Sequence, residues 1–375
     1  MAFSEVFLQE LADRNDIVDV VSGYVRLNKK SGSNLFGLCP FHSEKTPSFS
    51  VNSDKQIYHC FGCGKGGGVI NFVMEIENLS FPEAVEFLAK RVGMPMPEES
   101  RDDPAARRRE QLLALNKDAA RFFYDQFRSP AGRPAQDYAA RRELTPATVK
   151  KFGLGYAPES WNSLADAMKA KGYSEGLLLQ AGLVRKGKNG GVYDTFRNRL
   201  MFPVFNVRGN VIGFSGRILG DGEPKYMNSP ETPVFSKSHT LYGMNFAKKA
   251  RKKEIILVEG YMDMISIYQA GFENVVAGLG TAFNTEHART LRRLADRVIL
   301  LYDSDNAGQM AALRAIPVLV GNGFDVMVAQ VTDAKDADEF IKKFGSEAFG
   351  RLLVDAVNYI TFKINCAKKN YNMDN

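Results

Sequence analysis

Two pairs of potential metal ligands restrict the first hundred residues of this chain more than any other feature does. Cys39-Pro-Phe-His42 and Cys60-Phe-Gly-Cys63 each hold two ligands separated by two residues, with seventeen residues between the pairs. Brought together, two such knuckles make a tetrahedral Cys3His site, so the chain around them must form two tight turns that face each other. Gly62 and Gly64 suit the backbone torsions of such turns. Four protein ligands fill the coordination shell, so one structural zinc is expected at Cys39, His42, Cys60 and Cys63. His59 adjoins Cys60, but neighbouring side chains of a strand point to opposite faces. Cys60 has the right spacing to Cys63, which leaves His59 for the surface or for a nucleic acid. Phe41, Lys45, Phe49, Tyr58, Phe61 and Lys65 interleave aromatic and basic side chains around the ligands. That mixture suits base stacking with phosphate contact, and equally the filling of a small core. The fourth cysteine, Cys366, lies far away in a C-terminal helix and is expected to serve packing.

A chain of 375 residues exceeds one ordinary core and predicts two or three domains. Residues 1–96 read as a unit of amphipathic helices around a small β platform, with Ser80 and Glu83 spaced as a capping box. Residues 97–109, proline-bearing and densely charged, read as a linker. Residues 110–250 follow as a mixed α/β segment, 251–345 as an alternation of strands and helices, and 346–375 as the start of a helical subdomain. The fold class predicted is therefore α+β multidomain: a zinc ribbon with flanking helices, a basic mixed α/β subdomain and a parallel-sheet α/β subdomain. Four cysteines, no apolar run of eighteen residues and an acidic rather than basic N-terminus predict a reducing, cytoplasmic setting.

The acids of the last segment stand at the ends of apolar runs. Glu259 follows Ile255-Ile-Leu-Val258, Asp303-Ser-Asp305 follows Val298-Ile-Leu-Leu-Tyr302, and Asp336-Ala-Asp338 comes shortly after a strand ending at Val331. Ligands of open α/β sheets bind outside the carboxyl ends of the strands, so up to five carboxylates are expected on one rim. Crowded carboxylates repel unless cations neutralise them. Oxygen ligands without histidine suit Mg2+ or Mn2+, and paired ions of this kind serve phosphoryl transfer.

The net charge of +6 is unevenly spread: residues 1–100 carry −4, residues 101–250 carry +11 and residues 251–375 carry −1. A localised basic surface points to a polyanion such as nucleic acid, or serves solubility alone. Arg197-Asn-Arg199, Arg217, Pro224-Lys225-Tyr226-Met-Asn228 and Lys237 concentrate in this stretch. Beside an acidic metal site, such residues suit the joint holding of template phosphates and a triphosphate.

On these motifs the chain resembles bacterial replicative DNA primases of the DnaG type along essentially its whole length. The zinc region, Cys39-Pro-Phe-His42-Ser-Glu-Lys-Thr-Pro-Ser-Phe49 with Tyr58-His-Cys60-Phe-Gly-Cys63-Gly, is highly specific to that family. Val258-Glu259-Gly260-Tyr-Met-Asp263 and Asp303-x-Asp305-x-Ala-Gly308 resemble the Toprim motifs that primases share with topoisomerases. Arg197-Asn-Arg-Leu-Met-Phe-Pro203, Pro224-Lys-Tyr-Met-Asn228 and Leu241-Tyr-Gly243 resemble the primase-specific basic subdomain. The resemblance implies RNA primer synthesis from ribonucleoside triphosphates on single-stranded DNA. It implies Glu259, Asp303 and Asp305 as the chief magnesium or manganese ligands, with Asp336 and Asp338 supporting. It also implies that Arg197, Arg199, Lys225, Tyr226, Asn228 and Lys237 contact template or nucleotide. Family members commonly have Asp-Pro-Asp where this chain has Asp336-Ala-Asp338. They also continue into further helices and a domain that meets the replicative helicase, so the chain is expected to be either a fragment or a truncated product. Two competing readings are a Toprim nuclease or topoisomerase, which needs a tyrosine nucleophile that no motif here supplies, and a non-catalytic zinc-ribbon DNA-binding protein.

Overall fold

Polar side chains ahead of apolar runs set the first helices. Ser4 accepts from the Phe7 amide to start Glu5–Arg14, and Asp16 accepts from Val18 and Asp19 to start Ile17–Ser22. Each removes orphan donors from a helix N-terminus. The structure, a computed structural model, describes residues 3–42, 44–77, 79–96, 104–188, 190–331 and 333–370. The chain divides into two units, one up to Pro104 and one from Ala105.

In the first unit, the strands Lys29–Ser31, Asn34–Gly37, Phe49–Asn52, Ile57–Cys60 and Gly66–Gly67 pair in sequence order as an antiparallel meander. The helices Val69–Ile76 and Phe81–Arg91 close over it, the second started by the predicted capping box of Ser80 and Glu83. Phe49, Tyr58 and Phe72 are fully buried and form an aromatic group with Phe41, ring centroids 5.3–6.1 Å apart. Of the aromatics near the zinc ligands, Phe49 and Tyr58 therefore serve the core, while Phe61 is 72% exposed.

Most of the expected linker, residues 97–103, lies outside the described residues. Its remainder belongs to the helix Pro104–Arg128, which opens on a proline, a residue suited to the first helical turn. The second unit contains an antiparallel sheet in the order Tyr226–Asn228, Val211–Ile218, Arg199–Phe205 and Gly155–Ala157. A second sheet orders Val275–Ala277, Glu254–Val258, Arg297–Leu300 and Asp325–Val328, all parallel, with Val357–Asn358 added antiparallel at one edge. Its strands read as continuous aliphatic runs because both faces are covered. Ile256, Val258 and Ile299 enter one core, whereas Ile255, Leu257, Val298 and Leu300 enter the other, in strict alternation.

In the C-terminal segment, Val357–Asn358 pairs with Asp325–Val328, and the helix Tyr359–Asn370 sends Phe362 and Cys366 into the sheet's core. The apolar residues of this helix are what the sheet's last strand needs as cover. Replacing Phe362, only 1% exposed, by Ala is expected to cost the second unit about 3–5 kcal/mol. Denaturant unfolding of that unit measures it, and an independent C-terminal subdomain would leave the midpoint unchanged.

Candidate zinc and divalent-metal centres

The four zinc ligands meet as their spacing predicts. Donor atoms of Cys39, His42, Cys60 and Cys63 all lie within 4.8 Å of one another, with the sulfurs of Cys39 and Cys63 3.9 Å apart. The amides of Phe41 and Cys63 point at the sulfurs of Cys39 and Cys60, both at 3.4 Å, and stabilise thiolate there. His59 is exposed and Cys60 buried, as alternation in Ile57–Cys60 requires, and the His59 ring lies edge-on to Phe61. The two glycines act differently from each other. Gly64 has φ +74°, a torsion that favours glycine, whereas at Gly62 a Cβ would meet His42 Nε2 at 2.7 Å. Glu44, which the sequence reading left unassigned, binds the turn together. Its carboxylate accepts from the Cys39 and Ser48 amides at 2.7 and 3.1 Å and lies 3.3 Å from His42 Nε2. His42 Nδ1 faces Cys60 Sγ at 3.8 Å. Nδ1 therefore faces the sulfurs and Nε2 faces the Glu44 carboxylate, the usual side for a carboxylate behind a ligand histidine.

The parallel sheet builds the second centre. From Glu254–Val258 the chain moves to one side to form Val275–Ala277, then crosses to the other side to form Arg297–Leu300. The topological switch thus falls between Glu254–Val258 and Arg297–Leu300, the place where open α/β sheets bind ligands outside the carboxyl ends of their strands. Glu259 and Asp303 leave these two strands on either side of it. One Glu259 oxygen is buried with no hydrogen-bond partner. Burial and then the Asp303 charge raise its pKa, while a hydrogen bond with the Asp303 backbone and the Arg314 charge lower it. Burial followed by Asp336 and Asp305 likewise raises Asp303, against the lowering effect of Lys335 and Lys225. Such mutual repulsion suits groups that wait for a cation.

Asp305 and Asp336 each have a second task. Asp305 caps Asn306–Gly321 by accepting from the Gly308 amide at 2.8 Å, and Asp336 caps Ala337–Val354 through the Glu339 amide at 2.9 Å. Each uses one oxygen for its cap and keeps the other. Gly308 is obligatory, because a Cβ there would meet the Asp303 carbonyl oxygen at 2.2 Å. Ser304 ties the Asp303–Asp305 loop to the Val331 carbonyl at 2.6 Å.

Asp263 joins this group although the sequence reading assigned it no role. Burial, followed by Asp336, Asp303 and Asp338, pushes its pKa up to about 7. Its position four residues past Glu259, in the first turn of Tyr261–Gln269, was the available signal. Asp338 behaves differently from the other acids. It is 2% exposed, paired with Arg142 at 2.8 Å and Lys342 at 2.9 Å, and hydrogen-bonded by Ser266 at 2.6 Å. Its oxygens are thus already satisfied within the protein.

The basic residues divide in the same way. Arg199 is 4% exposed and donates to the carbonyls of Gly216 and Pro224, which ties the antiparallel sheet together from inside. Arg197 stacks over Trp161 at 4.3 Å and Tyr193 at 5.2 Å and donates to the Asp194 carbonyl. Arg217 lies between the rings of Tyr138 and Tyr226, at 4.7 and 5.5 Å. Tyr226 stacks on Tyr261 of the parallel-sheet subdomain, while Asn228 accepts from the Tyr261 hydroxyl and donates to the Leu279 carbonyl, both at 2.7 Å. These contacts hold the basic strand against the acidic rim. Lys225, exposed, lies near enough to Asp303 to lower its pKa. His287 donates from Nε2 to the Lys237 carbonyl at 2.7 Å and so fixes the Lys237 loop. No helix among the described residues is long and apolar enough to cross a membrane.

A zinc ribbon followed by a basic α/β segment and a Toprim sheet with acids at its strand ends defines a class of nucleic-acid enzymes. Family models match in that order: the CHC2 zinc finger over residues 3–103, the DNA primase catalytic core N-terminal domain over 122–248, and Toprim-like over 256–341. Similar curated proteins include the DNA primase of Clostridium acetobutylicum, 49% identical over all of this chain and 62% of the relative, and that of Pseudomonas putida, 45% identical over 92% and 53%. The zinc-binding and RNA polymerase domains of the Aquifex aeolicus primase match with TM-score 0.65 and 37% identity, covering 97% of this chain and 89% of that one. A DnaG primase catalytic domain bound to single-stranded DNA matches with TM-score 0.65 and 33% identity over 72% and 89%. The chain belongs to the DNA primase family. It spans 62% of the length of the Clostridium acetobutylicum relative.

Glu44→Gln is expected to weaken zinc binding about 10–100-fold through loss of its hold on His42, as read by chelator competition. Cys63→Ser should release the metal and unfold the first unit while the second keeps its unfolding transition. Wild-type protein purified with no zinc by elemental analysis would contradict both.

Proposed function

We propose that this chain makes short RNA primers on single-stranded DNA, condensing ribonucleoside triphosphates with release of pyrophosphate. The observation that carries this reading is the switch point of the sheet, where a buried, unpartnered Glu259 oxygen stands near Asp303 and the exposed Lys225. An all-oxygen donor set with an orphaned buried atom fits Mg2+ or Mn2+. Glu259, Asp303 and Asp305 are the chief ligands in this reading, Asp336 supports with its uncapped oxygen, and Asp338 supports from behind. When bound, a pair of such ions activates the attacking hydroxyl and stabilises the leaving pyrophosphate.

The remaining steps belong to the protein's own residues. Lys225 holds the triphosphate against the acidic rim, and Lys237 and Arg217 track the template phosphates. Tyr226 and Asn228 keep this face in register with the switch point through Tyr261. Arg197 and Arg199 shape the same face from within. The zinc unit, with its exposed Phe61, Lys65 and His59, serves as a single-stranded DNA contact. The single-stranded DNA held by the related catalytic domain supports the choice of template. A cytoplasmic replication fork, and a helicase partner for the whole protein, follow from the same reading.

Glu259→Gln and Asp303→Asn preserve size and remove metal-binding charge. Primer synthesis on a mixed single-stranded template should fall by several orders of magnitude, while single-stranded DNA binding persists or tightens. Near-normal synthesis by either variant would sink the metal assignment, and a wild-type protein that binds DNA but makes no primer would favour the non-catalytic reading.

The basic face is tested by salt. Each phosphate neutralised on a single strand contributes a slope of about −0.7 in log affinity against log salt. Lys237→Ala should therefore weaken DNA binding for all sequences and reduce the slope by about 0.7. Lys225→Ala should raise the KM for nucleotides and leave DNA affinity nearly unchanged. Equal slopes for both variants and wild type would mean diffuse attraction only.

A further inference from the structure

A buried charge cluster lies directly behind the acidic rim. Asp338 stands two residues after Asp336, in the first turn of Ala337–Val354, and is 2% exposed. Lys342 comes from the same helix and Ser266 from Tyr261–Gln269, the helix that also carries Asp263. Arg142 alone comes from outside the Toprim sheet, from the C-terminal end of Arg133–Arg141. Its NH1 donates to Asp338 Oδ2 at 2.8 Å, and its Nε donates to the Tyr138 hydroxyl at 3.1 Å. Tyr138 in turn has Arg217 of the basic strand over its ring at 4.7 Å.

Asp338 is joined to the rim as well as to this cluster. Its backbone amide interacts with the Asp263 carboxyl, and its Oδ1 accepts from Ser266, one helical turn past Asp263. Asp336 is the N-cap of the same helix, two residues before Asp338. The helix start carrying Asp336 is thus anchored by the bonds that hold Asp338. A buried carboxylate without its partner seeks water or a proton, and either response would displace this helix start.

We propose that Arg142 is a positioning residue of the metal centre: acting through Asp338, it fixes where Asp336 and Asp263 stand on the rim. The role rests on the divalent-metal reading given above. Tyr138 links the same arginine to Arg217, so a single side chain ties the phosphate-facing strand to the acidic loop. Groups behind a first ring of metal ligands commonly set affinity in this way.

The test is Mn2+ binding by the chain, followed by electron paramagnetic resonance of the free ion, beside single-stranded DNA binding and thermal unfolding. Arg142→Met keeps the apolar stem and removes the charge. It should weaken Mn2+ binding about 10–100-fold and leave DNA affinity and its salt slope unchanged. Arg142→Lys restores the charge and should recover most of the loss. Ser266→Ala removes a neutral partner of Asp338 and should weaken Mn2+ binding by a smaller factor. That variant and Arg142→Lys carry the test should Arg142→Met fail to fold. Unchanged Mn2+ affinity in Arg142→Met, or in Ser266→Ala if the former does not fold, overturns the proposal. So does a salt slope reduced by about 0.7 with Mn2+ binding intact, which would make Arg142 a template contact. Wild-type protein that binds no Mn2+ overturns the metal reading itself, whereas wild-type binding matched by Arg142→Met overturns the positioning role alone.

Discussion

Repulsion among carboxylates at one end of a parallel sheet is the constraint that the rest of the second unit answers. Burial, and then the charges of neighbours that include Asp303, Asp305 and Asp336, raise the proton affinity of Glu259, Asp263 and Asp303. A fold tolerates such crowding only if its backbone leaves no freedom to spread apart. The answers are visible residue by residue: two of the acids double as helix caps, Gly308 lets the helix start press against Asp303, and Ser304 pins one loop to the next strand. Asp338, behind them, is neutralised internally by a lysine and an arginine.

The basic segment is a counterpart built with different materials. Where the acids sit on strand ends and helix starts, the cations lie on an antiparallel sheet and its loops, held by aromatic rings. Arg197 and Arg217 are both stacked on rings, which fixes a guanidinium without neutralising it. Tyr226 and Tyr261 carry that order across to the acidic side. Two oppositely charged surfaces are thus kept at a fixed separation by neutral contacts, and this leaves Lys225 and the orphaned Glu259 oxygen free for other partners.

Much of this could be read in the sequence, for definable reasons. The zinc ligands were legible because metal geometry demands fixed spacings, and the parallel sheet because both-face burial forces unbroken aliphatic runs before each acid. What could not be read depends on the third dimension. Glu44 is one glutamate among many until the turn brings it against His42. Asp263 is an ordinary first-turn acid until the sheet sets it beside Asp336 and Asp303. Asp338 and Arg199 matched their motifs as well as their neighbours did, and only burial separates them from the open acids and cations. Arg142 lies 196 residues from its partner and carries no local signal. The C-terminal strand of two residues was too short for any periodicity to reveal.

That short strand also bears on how the molecule behaves among its own copies. A parallel sheet ends in two rows of unpaired backbone groups, each a template for adding a strand from elsewhere. Here the chain occupies both margins itself. Val357–Asn358 lies antiparallel along Asp325–Val328 at one side, and Tyr242 exchanges backbone hydrogen bonds of 2.8 and 3.0 Å with Ala277 at the other. Tyr242 is buried in the core as well, whereas Val357 and Asn358 add little burial, and all three stand where an intruding strand would dock. The sheet that gathers the acidic residues is thereby screened against self-association by segments from outside its own strand–helix alternation.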